Sequence, residues 1–331
     1  QDETADAVDA DNVLHGVDAL LEPHDPHTTT KATALTRAQH NLNHPWLSRL
    51  EPTKHSAHTS QPSLLSTLRP PPISYVPTLP RRVAKSGALS ELQLEALLLI
   101  GQRHTSTRLA SGARPGFLLA DGPGVGKGRT QAAVILDAWL QGHQRALWVS
   151  ASADLVADAH RDLKAVCTAS PGMPPLHDLL IPLIGVSHTS AIREPQGIVF
   201  VSYALLARPA RLAQVLAWCE GGRKDYEGVV TLDECHRAKA AGATGVGTAV
   251  LRLQAELPLA RVIYAAATAA TEVHNMRYLT RLGLWGAGTG SSSFNDVRDS
   301  ITEAGAAAVE LLPLHLKAIG AFACRTISFQ G

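Results

Sequence analysis

The feature that most constrains the fold is a glycine-rich stretch over residues 118–130, with the sequence LLADGPGVGKGRT. Gly122, Gly124 and Gly126 permit positive φ angles and a close approach of the backbone to a ligand. Backbone N–H groups in such a turn can surround phosphate oxygens, and Lys127 is placed to reach the β- and γ-phosphates of a nucleotide. The stretch therefore predicts a nucleotide-phosphate loop. The plain alternative is a glycine-rich turn between strand and helix that binds nothing.

The loop departs from the usual G-x-x-x-x-G-K-[ST] pattern at two positions. Asp121 stands where the first glycine is usual, and Gly128 follows the lysine. The hydroxyl that normally follows the lysine is a ligand of Mg²⁺. The nearest hydroxyl is that of Thr130, two residues after Gly128, and residues two apart do not share a helix face. Thr130 is thus a poor substitute for the missing hydroxyl. We therefore expect Mg²⁺ to be held by water and Asp233.

A second motif, VVTLDECH over residues 229–236, places two acidic residues directly after an apolar run. At the end of a buried strand, Asp233 would bind Mg²⁺, usually through water, and Glu234 would orient or deprotonate the attacking water. By itself, an Asp-Glu pair is more often part of a solvated loop or the start of a helix. With the apolar run before it and the phosphate loop upstream, the pair favours a catalytic role.

Five nearly continuous apolar runs predict strands that are buried on both faces. These runs cover residues 116–120, 145–150, 197–202, 228–232 and 261–266. Helices are predicted between them over residues 130–141, 154–165, 210–219 and 248–256. The alternation predicts an α/β fold with a doubly wound, mostly parallel sheet. The phosphate loop then lies at the carboxyl end of a strand, where nucleotides bind in such folds.

Local signals predict further helices outside this alternation. Residues 271–282 and 304–324 are expected to be helical, separated by a Gly/Ser-rich loop over residues 286–293. Pro313 is expected to kink or split the second of these helices. Earlier in the chain, Ser90-Glu-Leu-Gln93 has the spacing of a capping box, which predicts a helix start and is sufficient to explain both polar side chains.

Residues 1–75 are poor in Val, Ile and Phe and rich in Asp, His, Thr, Ser and Pro. Such a segment buries too little apolar surface to offset the entropy lost on ordering. We expect this tail to be mostly disordered and residues 76–331 to form the folded domain. His40 and His44 have the spacing of two metal ligands on a helix, but no cysteine lies nearby, and scattered histidines are the simpler interpretation.

Composition limits the remaining function classes. The formal net charge is +1, so the chain as a whole is not strongly basic, as nucleic-acid-binding domains typically are. The four cysteines are far apart and do not have the paired spacing of a zinc site. This pattern indicates reduced thiols in the cytosol or nucleus. No apolar run approaches the roughly 20 residues that span a bilayer, and no signal-peptide pattern is present, so we expect no membrane association. Because the first residue is Gln, we expect a piece of a longer protein.

Several stretches resemble one known family in the order expected across residues 75–331. Residues 121–130, DGPGVGKGRT, resemble the GDGAGVGKGR loop of the Strawberry notch proteins, including the unusual glycine after the lysine. The same resemblance is carried by LSELQLEA at 89–96, QRH at 102–104, DECHRAK at 233–239, Asn275-Met276 with Tyr278, and RLGLWG at 281–286. It implies the first RecA-like lobe of a superfamily 2 helicase-type P-loop NTPase that uses ATP and Mg²⁺.

The resemblance also implies a cellular role and two coupling residues. Members of this group act in the nucleus with chromatin and transcription regulators, so we expect a nuclear protein, with the cytoplasm as the alternative, and nucleic acid, chromatin or transcription-regulator proteins as partners. His236 and Thr268 are implied to couple the nucleotide to the nucleic-acid path. The sequence AATA over 266–269 replaces an expected SATG, and Val273 replaces a proline. We expect the second RecA-like lobe, with its arginine finger, to be missing.

The predicted catalytic residues are Lys127, Asp233 and Glu234. The predicted nucleotide-binding residues are Gly122, Gly124, Val125, Gly126, Lys127, Gly128, Arg129 and Thr130, and the resemblance adds Gln93 as a reader of adenine. Two other functions stay open. One is an interaction scaffold in transcription regulation that binds ATP weakly or not at all, and the other is a small-molecule P-loop kinase, which the Asp-Glu-Cys-His pattern opposes.

Overall fold

The computed structural model describes residues 46 and 54 and the ranges 59–61, 63–106, 108–221, 225–238, 245–267 and 275–327. Its strands are β1 (Thr59–Ser60), β2 (Phe117–Leu119), β3 (Arg145–Ser150), β4 (Leu180–Pro182), β5 (Gly197–Ser202), β6 (Val229–Leu232), β7 (Arg261–Ala265), β8 (Phe322–Ala323) and β9 (Thr326–Ile327). Within this part of the chain, seven strands form one sheet in the order β4-β5-β3-β6-β7-β2-β8, and every neighbouring pair is parallel. Strands β1 and β9 form a separate antiparallel pair.

Helices cover both faces of the main sheet. They are α1 (Ser63–Thr67), α2 (Arg81–Lys85), α3 (Glu91–Thr105), α4 (Lys127–Leu140), α5 (Val156–Cys167), α6 (Tyr203–Leu206), α7 (Pro209–Glu220), α8 (Gly245–Glu256), α9 (Phe294–Ala304) and α10 (Ala306–Ala318). Side chains that alternate along a strand enter two different cores. In β2, Phe117 and Leu119 pack with α3, α4 and α5, whereas Leu118 packs with α7 and α8 on the other face. The predicted doubly wound parallel sheet is therefore confirmed. None of the described helices is long and apolar enough to cross a membrane.

The five predicted strands and the four helices predicted between them agree with the structure to within a few residues at their ends. Helix α3 begins after Ser90, where the capping-box spacing predicts a start. The sequence missed β4 and β8, which have three and two residues and lie at the two edges of the sheet. Such short strands carry too few residues to show a periodic pattern.

The predicted helix over residues 271–282 is wrong for the residues described there, 275–282, which form turns. Two turn bonds run within this segment, from the N–H of Leu279 to the carbonyl of Met276 at 2.8 Å and from the N–H of Leu282 to the carbonyl of Leu279 at 3.2 Å, and other polar groups bond to neighbouring elements. The side-chain amide of Gln254 donates to the carbonyl of Tyr278 at 2.8 Å, and the N–H of Gly116 donates to the carbonyl of Arg281 at 2.8 Å. The Arg281 guanidinium is also buried and donates to the carbonyl of Pro258 at 2.6 Å. These tertiary bonds outweigh the local preference for a helix.

The predicted helix over residues 304–324 contains helix α10 and strand β8, and the helix α9 before it, Phe294–Ala304, was not predicted. The division between the two helices falls at Gly305, whose φ of 77° ends α9. Of the prediction that Pro313 kinks or splits the helix, the split is wrong, since α10 continues through Pro313 from Ala306 to Ala318, and a kink at this position stays a prediction. The positive φ of Gly305 takes the chain out of the right-handed helical region, whereas a proline removes one backbone hydrogen bond and crowds the carbonyl four residues earlier, which need not end the helix.

Most of the predicted disordered tail, including His40 and His44, lies outside the described residues. The described part of it packs on the domain. Leu65 is buried in a core, Lys317 Nζ donates to the Gln61 side chain at 2.9 Å, and the N–H of Ser74 donates to the Gln102 side chain at 2.6 Å. The folded part of the chain therefore begins before the expected boundary at residue 76, because a few apolar and polar anchors are enough to order a short polar segment.

Candidate nucleotide site

The phosphate loop joins the carboxyl end of β2 to the start of α4. Gly124 and Gly126 have φ angles of 82° and 94°, which residues with a Cβ rarely adopt. At Gly126, the N-cap of α4, an added Cβ would also lie 2.2 Å from the side-chain nitrogen of Gln93. The first turn of α4 has backbone N–H groups without helical acceptors, which is the usual setting for binding phosphate.

Lys127 is the first residue of α4. Its Nζ donates a hydrogen bond to the carbonyl oxygen of Asp121 at 2.8 Å, so the lysine spans its own loop. A phosphate oxygen in the loop would compete with this carbonyl for the amine. The structure thus places the predicted lysine at the mouth of the predicted loop.

Asp233 and Glu234 directly follow β6, at the same edge of the sheet as the phosphate loop. The N–H of Asp233 donates to the carbonyl of Val149 at 2.8 Å and so extends the ladder between β6 and β3 by one residue. Glu234 has a φ of 50°, the one positive value among the described non-glycine residues. This left-handed residue interrupts the alternation of a strand, so two successive carboxylates both line one cleft.

The Asp233 carboxylate bonds to uncharged groups of neighbouring elements. Gln131 Nε2 on α4 donates to Oδ1 at 3.2 Å, and Ser150 Oγ at the end of β3 donates to Oδ2 at 3.3 Å. Burial raises the pKa of Asp233, and the charge of Glu234 raises it further, while the bonds from Gln131 and Ser150 and the charge of Lys127 oppose this shift. A half-buried acid with a raised pKa would be stabilised in its charged form by a cation beside it.

His236 lies beside the acidic pair in the 3₁₀ turn Cys235–Ala238. Its Nδ1 is 3.3 Å from Oε2 of Glu234, so the imidazole ring contacts that carboxylate directly. The other predicted coupling residue, Thr268, lies outside the described residues.

The phosphate loop and the acidic pair line one cleft with a volume of about 740 Å³, which is within the range of small-ligand sites. A wall of this cleft comes from α5, which packs against α4. The residues that line the cleft are Lys54, Gly87, Ser90, Gln93, Gly122, Gly124, Gly126, Lys127, Gly128, Arg129, Trp148, Leu155, Asp158, Ala159, Arg161, Asp162, Asp233 and Glu234.

Not every residue predicted from the loop motif faces the cleft. Thr130 is fully buried, and its Oγ1 is 3.5 Å from the carbonyl of Gly126, within its own helix. Val125 is also buried, and its carbonyl accepts a hydrogen bond from Gln93 Nε2 at 3.0 Å. Gln93 also accepts from the N–H of Ser90 at 2.9 Å. The capping role of Gln93 is therefore confirmed, and contact with adenine stays a prediction.

Asp121, the first departure from the usual loop pattern, has a structural partner that the sequence did not indicate. Its carboxylate accepts from the backbone N–H of Arg325 at 3.0 Å, from Nε at 2.9 Å and from Nη2 at 2.5 Å. The N–H of Gly122 in turn donates to the carbonyl of Arg325 at 2.7 Å. Glu95 on α3 is 3.3 Å from the same guanidinium. The segment after β8 therefore holds the phosphate loop in place.

Gln131, Ser150 and Asp162 are site residues that sequence reasoning missed. Gln131 lies on α4 one residue after Thr130, where the apolar pattern of the helix gives no sign of a polar contact. Ser150 carried one signal, since it ends a predicted strand at the same sheet edge as Asp233. Asp162 lies in a helix with many charged residues, and only the packing of α5 on α4 brings it to the loop.

Comparison with known proteins gives consistent matches. The family model described as P-loop containing NTP hydrolase pore-1 matches residues 54–331. Protein strawberry notch homolog 2 of Homo sapiens is 43% identical over 286 residues, with coverage of 84% of this chain and 20% of that protein. Protein FORGETTER 1 of Arabidopsis thaliana is 42% identical over 280 residues, with coverage of 81% and 21%. The chain thus spans about a fifth of the length of these curated relatives.

Among solved structures, the Sulfolobus solfataricus SWI2/SNF2 ATPase core domain matches with a TM-score of 0.48 and 18% identity. The match covers 84% of this chain and 48% of that one.

Proposed function

Because this chain belongs to the strawberry notch family and its family model is that of P-loop NTP hydrolases, we propose that it binds ATP with Mg²⁺ and hydrolyses it. The observation that carries the proposal is one shared cleft. Lys127 and the glycines of the phosphate loop line it together with Asp233 and Glu234, although about a hundred residues separate the two motifs in the sequence.

Each group of residues has a physical task in this proposal. The N–H groups at the start of α4 and the amine of Lys127 bind the phosphate oxygens, because both present positive charge to an anion. Mg²⁺, when bound, neutralises charge on the transferred phosphoryl group. Asp233 supplies a carboxylate oxygen toward that ion. Among the described residues, no three His, Cys, Asp or Glu side chains form a metal cage, which suits an ion that keeps several waters and takes one or two carboxylates.

Glu234 is the residue that orients or deprotonates the attacking water. Its left-handed backbone holds the carboxylate in the cleft beside Asp233, and strained positions of this kind cluster at functional sites. His236 contacts the same carboxylate and is placed to respond to changes at it. In an enzyme of this type, a second RecA-like lobe supplies an arginine finger, so we expect the chain alone to bind nucleotide more readily than it turns it over.

Calorimetric titration with Mg·ATP tests the proposal. The wild type should give saturable heat, Lys127→Ala should lose it, and Glu234→Gln should keep it while ATP turnover, measured as phosphate release, stops. Lys85→Ala is the matched control, since Lys85 is exposed on α2 and does not line the cleft. Absence of saturable heat in the wild type would contradict the proposal and support the interaction scaffold.

We further propose a nuclear protein that works on nucleic acid or chromatin with transcription-regulator proteins. This part rests on the family resemblance, since the sequence contains no basic run interleaved with aromatic residues that would indicate a nucleic-acid track. Its test is ATP turnover with and without added DNA or RNA, together with imaging of a fluorescent fusion in cells. Unchanged turnover with either nucleic acid would argue against a nucleic-acid substrate, and a cytoplasmic signal would argue against the nuclear assignment.

A further inference from the structure

Gly128 is the second departure from the usual loop pattern, and the structure gives it a specific surrounding. A Cβ added at this residue would lie 2.2 Å from Oδ2 of Asp162, closer than real Cβ contacts allow. A serine or threonine therefore does not fit after Lys127 while Asp162 stays where it is. The space that the usual hydroxyl-bearing side chain would take is filled by a carboxylate.

The position of Asp162 is fixed by the packing of its helix. Its neighbour Leu163 and Val166 are both fully buried in the core that α5 shares with α4. Asp162 itself is 9% exposed and lines the same cleft as Lys127 and Asp233. The carboxylate therefore belongs to the wall of the site and is not a mobile surface group.

The charge of Asp162 is only loosely balanced within the protein. Arg161 places Nε 3.3 Å from Oδ1 and Nη2 3.4 Å from Oδ2, and it also pairs with Asp158. The Arg161 side chain is 63% exposed, so water screens this pair. When a triphosphate enters, a carboxylate at this wall repels it unless a cation lies between the two anions.

We infer that Asp162 replaces the missing hydroxyl of the phosphate loop as an oxygen donor for the Mg²⁺ of Mg·ATP, in the cleft that it lines together with Asp233. Mg²⁺ prefers oxygen ligands and accepts one or two carboxylates together with phosphate oxygens, so the exchange of a hydroxyl for a carboxylate keeps the ligand class. The inference rests on the proposed nucleotide binding. Asp162 then has two effects with opposite signs, since it favours Mg·ATP and disfavours metal-free ATP.

The test compares ATP affinity with Mg²⁺ and with EDTA, measured by calorimetry on the whole chain. In the wild type, the ratio of the two dissociation constants should strongly favour Mg²⁺. Asp162→Asn should reduce this ratio at least about tenfold, since loss of a group that holds a metal typically costs 10–100-fold in affinity. Part of the change should come from tighter binding in EDTA, which a purely structural role of Asp162 would not produce.

Asp154→Asn is the matched control, because Asp154 also lies near α5, two residues before it begins, but is exposed and does not line the cleft. This variant should keep the ratio within about twofold, as expected for an exposed, screened charge. An unchanged ratio in Asp162→Asn, or an equal change in both variants, would overturn the inference. A wild type that binds no ATP in either buffer would overturn the proposed function first.

A double variant tests the same inference by repair. Asp162→Ala should reduce the Mg²⁺ dependence as Asp162→Asn does and also open the space beside Gly128. Adding Gly128→Ser to Asp162→Ala supplies the hydroxyl of the usual pattern and should recover most of that dependence, whereas Gly128→Ser alone should weaken binding through the clash with Asp162. Circular dichroism confirms that each variant is folded. Full Mg²⁺ dependence in Asp162→Ala, with no further gain from the serine, would refute the ligand role.

Discussion

Two carboxylates flank the phosphate loop, Asp121 buried and Asp233 half-buried, and they differ in how their charge is balanced. Asp121 is 1% exposed and accepts three hydrogen bonds from Arg325, two of them from its guanidinium. Asp233 accepts hydrogen bonds from the uncharged groups of Gln131 and Ser150. The protein itself neutralises the first carboxylate. The second keeps an unbalanced charge in a cleft, which is the state that a bound cation would relieve.

The difference shows that the loop's unusual aspartate serves the fold and not the ligand. Burial alone would lower the pKa of Arg325, but the charges of Asp121 and Glu95 raise it overall, so the guanidinium stays charged. The backbone carbonyl of Arg325 also accepts a hydrogen bond from the N–H of Gly122 at 2.7 Å. The ion pair therefore sets the shape of the loop from outside the cleft, while the acids inside the cleft are free to meet a ligand.

Arg325→Met should have the largest effect on stability. It leaves two carboxylates, of Asp121 and Glu95, facing one another around a buried site without their cation. Breaking a buried pair by removing one partner costs about 3–5 kcal/mol, and we expect a loss of that size in the free energy of unfolding. Urea denaturation followed by circular dichroism measures it.

Arg298→Met is the control for this prediction. Arg298 on α9 also pairs with a neighbouring carboxylate, since its Nη2 is 2.7 Å from Oδ1 of Asp299, but the two side chains are 35% and 59% exposed. An exposed pair contributes about 0–1 kcal/mol, so this change should be small. Equal losses in the two variants would mean that burial does not distinguish the two ion pairs.

The sheet and the main site could be predicted because their signals are local. Continuous apolar runs marked the strands from 145–150 to 261–266, and the carboxyl ends of parallel strands meet at one edge of a sheet. Two motifs that follow such strands must therefore come together. The phosphate-loop stretch, the VVTLDECH stretch and the parallel α/β fold are together sufficient to predict that Lys127 lies near Asp233.

The contacts that the sequence could not indicate are all long-range. Arg325 is far along the chain from Asp121, and its role depends on β8 being placed next to β2, although β8 has only two residues. Asp162 reaches Gly128 because α5 packs on α4, a fact of tertiary structure. The turns over 275–282 are fixed by hydrogen bonds to Gln254 and Gly116, which outweigh local propensity. Such side-chain partners have no signature in one sequence.

Substitution of each acid by its amide should separate the two carboxylates by the sign of the stability change. Asp121→Asn removes the charge that balances Arg325 and should destabilise the protein by about 3 kcal/mol or more. Asp233→Asn removes a charge that burial disfavours, and it should stabilise the ligand-free protein by about 1 kcal/mol while Mg·ATP binding is lost. Urea denaturation gives both stabilities, and calorimetry gives the binding. Destabilisation by both substitutions would show that the Asp233 charge is already balanced within the protein.

The smallest expected effect is the pH dependence of that gain. In the unfolded chain, the pKa of Asp233 is about 4. In the folded protein, burial raises the pKa of this carboxyl. Between the two values the folded state binds more protons than the unfolded state, so the wild type loses stability as the pH rises through this window. Asp233→Asn has no proton to lose at this position. The free energy of unfolding of the variant minus that of the wild type should therefore be near zero below about pH 4, rise with pH, and become constant above the pKa that Asp233 has in the folded protein.

Urea midpoints of both proteins across this range measure this difference. If the difference falls as the pH rises, a cation of the protein stabilises the charged form of Asp233, and Lys127 is the nearest candidate.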